Sequence, residues 1–66
     1  MSALVDARGL RCPWPALRLA RAMRDADAVT ILADDPAAPG EIAALAAAQG
    51  WTVAPVGEGW SVARPG

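Results

Sequence analysis

Histidine, lysine, tyrosine and phenylalanine are absent from this 66-residue chain, and cysteine occurs once, at Cys12. Each absence removes a class of function. A single cysteine forms no internal disulfide and supports no dithiol redox cycle within one chain. Without histidine there is no imidazole base and no companion ligand for a cysteine zinc site. A formal net charge of −1 and a pI near 5.0 leave no general basic footprint for nucleic acid. No apolar run is long enough to span a bilayer, and Met1-Ser2-Ala3-Leu4-Val5-Asp6 lacks the basic and apolar regions of a signal peptide. The lone thiol fits a reducing compartment. The expectation is a cytoplasmic protein with no metal, no membrane contact and no direct nucleic-acid partner.

What the chain has in abundance is alanine, at seventeen positions, which leaves only eighteen bulky apolar side chains for a core. That suits one small domain spanning 1–66, of modest stability. All six basic residues are arginine, and five of them lie between Arg8 and Arg24. The first third of the chain therefore carries local positive charge around Cys12.

The periodicities divide the chain into six elements. Leu4-Val5-Asp6 reads as a first strand, and Ala7 to Cys12 as its exit, turning at Gly9. A helix follows from Pro13 or Pro15 to about Arg24, with Ala16, Leu19, Ala20 and Met23 on one face and Arg18, Arg21 and Arg24 opposite. Ala28 to Ala33 reads as a central strand parallel to the first. Residues 34–40 form a loop into a second helix carrying Ile42, Leu45, Ala46 and Gln49, which Gly50 ends. Two strands, 51–56 and 60–63, flank the hairpin turn Gly57-Glu58-Gly59, and Pro55 points to an edge strand. Trp51 and Trp60 share strand parity with Val53 and Val62 and read as core or hairpin-pair residues. The order β-α-β-α-β-β with right-handed crossovers predicts an α/β two-layer sandwich: a four-stranded mixed sheet with two helices on one face.

Cys12 lies in Arg11-Cys12-Pro13-Trp14-Pro15, where strand gives way to helix. An intracellular lone cysteine is commonly an inert core residue. A thiol at a helix N-terminus beside Arg8 and Arg11 is instead a candidate nucleophile, because both surroundings favour the thiolate. Pro13 and Pro15 carry no N–H, which removes two donors from the helix start and limits that effect to a moderate lowering of the thiol pKa. Both prolines also bias the preceding residue toward extended geometry, so the sulfur is held for presentation. With no base and no resolving thiol, such a chain is better suited to accept and hand on sulfur than to mobilise it.

Asp6-Ala7-Arg8-Gly9-Leu10-Arg11-Cys12-Pro13-Trp14-Pro15, followed by Ala33-Asp34-Asp35-Pro36-Ala37 at the next strand-to-helix junction, resembles the TusA (SirA-like) sulfur-carrier family. The resemblance covers almost the whole chain. It implies a small β-α-β-α-β-β sandwich that carries a persulfide on Cys12, needs no cofactor, and acts as a partner-dependent sulfurtransferase. The implied donors are a cysteine desulfurase or a rhodanese-type protein. The implied acceptors lie in tRNA thiolation, molybdenum-cofactor maturation or sulfur oxidation. Gly9, Leu10, Pro13 and Pro15 would set the geometry of the motif. Trp14 fills a slot that is often acidic or small in relatives, and Pro39-Gly40-Glu41 replaces a more usual hydroxyl or basic residue followed by aspartate.

The remaining candidates have plainer readings beside functional ones. Asp34 and Asp35 reach the same sheet edge as Cys12, and read as orienting groups or as caps of the second helix. Trp14 reads as a docking aromatic or as a side chain folded over its own helix. The alternative function is a non-enzymatic RNA- or protein-binding module, since the predicted sandwich resembles the RNA-binding C-terminal domain of a bacterial translation initiation factor. A redox thiol resolved by another chain is a third reading.

Overall fold

Alternating burial along the strand Ala28–Leu32 and a four-residue burial stripe on each helix decide how this chain layers. The computed structural model describes residues 2–65. Its elements are β1 (Ser2–Asp6), α1 (Trp14–Asp25), β2 (Ala28–Leu32), α2 (Ala38–Gln49), β3 (Thr52–Val56) and β4 (Gly59–Ala63). The sheet order is β1-β2-β4-β3. β1 runs parallel to β2 with Val5 beside Ile31, and β4 runs antiparallel to both β2 and β3. This is the mixed-sheet α/β sandwich that the sequence predicts.

α1 starts with Pro15 in its first turn, where a missing N–H leaves no bond unmade, and buries Pro15, Leu19 and Met23 at four-residue intervals. α2 buries Ala38, Ile42 and Ala46 in the same way. It begins at Ala38, earlier than the 34–40 loop anticipated from sequence. Pro39, with its φ already fixed near the helical value, joins the first turn and carries Gly40 with it. The helix ends at Gly50, whose φ of 75° is the left-handed stop, and the Trp51 N–H returns to the Ala46 carbonyl at 2.8 Å.

Both helices cover the face that presents Val29, Ile31 and Val62, and these three pack with Leu19, Met23 and Ile42 in the core. Trp51 and Trp60 lie half-buried against this core, and Trp60 stands beside Pro55 on the edge strand β3. The opposite face remains open. By register it carries the rows Leu4–Thr30–Ser61–Ala54 and Asp6–Leu32–Gly59–Val56. Because β1 and β2 are parallel, their C-terminal ends share one sheet edge, and the loops that leave them meet there.

Candidate functional site

The two loops at that edge are stitched together by the aspartates of the second. Ala7, fully buried, extends the parallel ladder by donating its N–H to the Leu32 carbonyl at 2.7 Å. The chain then turns at Gly9, whose φ of 83° suits glycine and whose N–H donates to Asp34 Oδ1 at 2.9 Å. The Cys12 N–H donates to Asp35 Oδ2 at 2.7 Å, while Asp35 Oδ1 accepts the Ala37 N–H at 2.8 Å. Asp35 thus closes a turn onto its own loop and holds the cysteine loop as well, whereas Asp34 grips the Gly9 turn and does not cap α2. The Ala37 bond, the Cys12 bond and the charge of Arg11 together hold the Asp35 carboxyl below its usual value.

Cys12 is exposed and one residue outside the helix, whose N-cap is Pro13. The Cys12–Pro13 peptide bond is cis. The Trp14 N–H, the first donor of the helix start, is committed to the Arg11 carbonyl at 2.8 Å. The sulfur makes its own bond elsewhere: its S–H donates to Glu41 Oε1, in the first turn of α2. Glu41 is the site residue that sequence reasoning missed.

This arrangement corrects the expected charge state. Cys12 was expected to ionise more readily than an ordinary thiol, through the helix start and Arg8 and Arg11. Its pKa is instead raised, first by the hydrogen bond to Glu41, then by desolvation and by the charges of Glu41 and Asp35. Arg8 gives the sulfur no help, because Asp6 captures it. Its Nε and Nη2 donate to the two Asp6 carboxyl oxygens at 2.9 and 2.8 Å, and Glu58 lies 3.9 Å from its Nη1. Arg11 acts on Asp35 instead.

The other candidates divide cleanly. Gly9, Leu10, Arg11, Asp34, Asp35 and Pro36 line a cleft of about 360 Å³ between the two loops. Pro15 is buried on the inner face of α1, while Trp14 projects into solvent at 58 % exposure and is not folded over its helix. A groove of about 740 Å³ runs between α1 and α2, lined by Pro13, Ala16, Leu17, Glu41, Ala44 and Leu45. Among the described residues no cluster of three or more histidine, cysteine, aspartate or glutamate side chains is placed to hold a metal ion.

A family model described as "Sulfurtransferase TusA" matches residues 3–63, from β1 through the end of β4. The chain belongs to the TusA sulfurtransferase family. Two Neisseria meningitidis proteins, from serogroups A and B and each named "Putative sulfur carrier protein", are 43% identical to it over 47 residues. Those alignments take in 67% of this chain and 64% of each relative.

Proposed function

We propose that this TusA-family chain is a cytoplasmic persulfide carrier in which Cys12 accepts a sulfur atom from a donor protein and yields it to an acceptor. The observation that carries the reading is one exposed thiol, fixed through its own backbone N–H by Asp35, at the junction of two loops. A carrier needs a sulfur that is accessible and held in one place, and it needs no second thiol. The chemistry is an exchange without net redox change. The Cys12 sulfur attacks the terminal sulfur of the donor's persulfide, a new S–S bond forms, and the donor sulfur leaves as a thiolate. Delivery repeats the step with Cys12 as the donor: an acceptor thiolate attacks the terminal sulfur, the new S–S bond forms, and Cys12 leaves as a thiolate. Exposed Trp14 and the groove between the helices supply apolar surface against which a partner protein can seat.

The donors that fit are a cysteine desulfurase or a rhodanese-type protein, and the pathways that fit are tRNA thiolation, cofactor maturation and sulfur oxidation. Intact-mass spectrometry tests the reading. After incubation with a cysteine desulfurase and cysteine, or with rhodanese and thiosulfate, the protein gains one sulfur atom that reductant removes. Cys12→Ser gains none while keeping its circular dichroism. A sulfur adduct that persists in Cys12→Ser would falsify the assignment of Cys12 as the anchor.

A further inference from the structure

Glu41 faces the Cys12 sulfur directly, and its carboxylate has opposite consequences for the two states of a sulfur carrier. In the empty state the sulfur is a neutral thiol and a hydrogen-bond donor, which a carboxylate accepts. In the loaded state the terminal sulfur of Cys12–S–SH is more acidic than a thiol, because the negative charge is stabilised by the adjacent sulfur. It is therefore an anion at neutral pH, with no proton to donate. The charged groups around it are Glu41 from α2, Asp35 from the β2–α2 loop and Arg11 from its own loop, while Arg8 is engaged with Asp6. Two carboxylates and an anion repel one another at contact distance.

We propose that Glu41 is a positioning residue that distinguishes the empty carrier from the loaded one, holding the bare thiol by accepting its S–H and expelling the persulfide anion toward solvent and partners. The inference rests on Cys12 carrying persulfide sulfur, as proposed above. Loading itself is balanced. Cys12–SH and a sulfane donor exchange one sulfur atom, the donor's S–S bond breaks as the new one forms, and the thiol proton passes to the leaving sulfur. No oxidant is consumed. The consequence is directional: an empty carrier is quiet toward small electrophiles, and a loaded one presents its sulfur.

The test uses the full chain, loaded chemically with inorganic polysulfide so that no donor protein is required. Alkylation by iodoacetamide is followed against pH for empty and loaded protein, in wild type and in Glu41→Gln. For the empty protein, Glu41→Gln moves the alkylation profile to lower pH and raises the rate at neutral pH several-fold. Glu41→Asp, which keeps the charge but withdraws it by one methylene, falls between. For the loaded protein, Glu41→Gln slows alkylation instead, because a neutral amide no longer drives the persulfide anion into solvent. An empty-state profile unmoved by Glu41→Gln overturns the proposal, as do equal shifts in both states. A chain that takes no sulfur from polysulfide has no loaded state and overturns it outright. A chain that loads from polysulfide but from no donor protein overturns the carrier function alone.

Discussion

The backbone N–H of Cys12 donates to Asp35 Oδ2 at 2.7 Å, joining two loops that lie 23 positions apart in the chain. Because the same carboxylate also accepts the Ala37 N–H, the position of the sulfur is tied to the start of α2. The site is thus a property of the parallel β1–β2 pair, which brings the two loops to one edge, and of no single segment.

Removing that carboxylate should therefore disturb sulfur transfer more than folding. In Asp35→Ala the core residues Leu19, Ile31 and Ile42 keep their contacts, and the circular dichroism stays native. The Cys12 and Ala37 amides lose their acceptor and exchange faster with solvent deuterium. With the sulfur no longer held, transfer from a donor protein slows by on the order of tenfold or more, since misplacement of a reacting group by an ångström is that costly. Unchanged Cys12 amide exchange in Asp35→Ala would show that the loop holds itself.

Trp14 separates docking from chemistry. It is 58% exposed and makes no hydrogen bond to the sulfur, so Trp14→Ala should leave chemical loading by polysulfide unaltered. Truncating a tryptophan that anchors an interface costs about 2 kcal/mol, roughly a thirtyfold loss of affinity. Steady-state transfer from a desulfurase should show that loss in KM with kcat preserved. Equal slowing of the polysulfide reaction would place Trp14 in the geometry of the sulfur and not in docking.

The order of elements and the parallel pairing were legible because Gly9, Gly50 and the Pro-rich junctions punctuate the chain and the β-branched run Val29-Thr30-Ile31 marks a central strand. The meeting of the Cys12 loop with the Asp34-Asp35 loop at one sheet edge was legible for the same reason. The electrostatics of the site were not. Arg8 was read as serving Cys12, but Asp6 two residues earlier lies within reach along the extended end of β1 and takes it first. Glu41 was hidden because Pro39-Gly40 suggests loop, whereas proline is at home in a first helical turn. An acidic residue just after such a proline, at a helix start that must share the sheet edge with Cys12, was the signal available.

The Asp6–Arg8 pair gives a pH dependence of definite sign. Bonds from the Arg8 side chain and backbone lower the Asp6 carboxyl from 3.8 to about 2. A carboxyl that ionises more readily folded than unfolded contributes stability above its unfolded pKa and loses it as pH falls through the folded one. The contribution of this pair is therefore present above pH 3.8 and disappears on acidification toward pH 2. A carboxyl-carbon NMR titration should place Asp6 near 2, and Arg8→Ala should return it toward 3.8. A wild-type midpoint already at 3.8 would mean that the pair does not form in solution.

Two glycines make opposite predictions for stability. Gly59 opens β4 opposite Leu32, and a Cβ built there meets the Ile31 carbonyl oxygen and comes within 2.9 Å of Leu32 Cδ2. The backbone of a central strand cannot give way without loosening the β2–β4 ladder, so Gly59→Ala should cost about 3 kcal/mol. For a 66-residue chain, whose total stability is on the order of 3–10 kcal/mol, that is a large fraction. Gly40 has nothing within 4 Å of the same position and lies inside α2. Gly40→Ala should therefore stabilise by roughly 0.5–1 kcal/mol, because alanine loses less backbone freedom on entering a helix. Urea unfolding of the two variants reads both effects in one experiment. Midpoints that move in the same direction would mean that chain entropy, and not the close approach of Gly59 to Ile31, governs these positions.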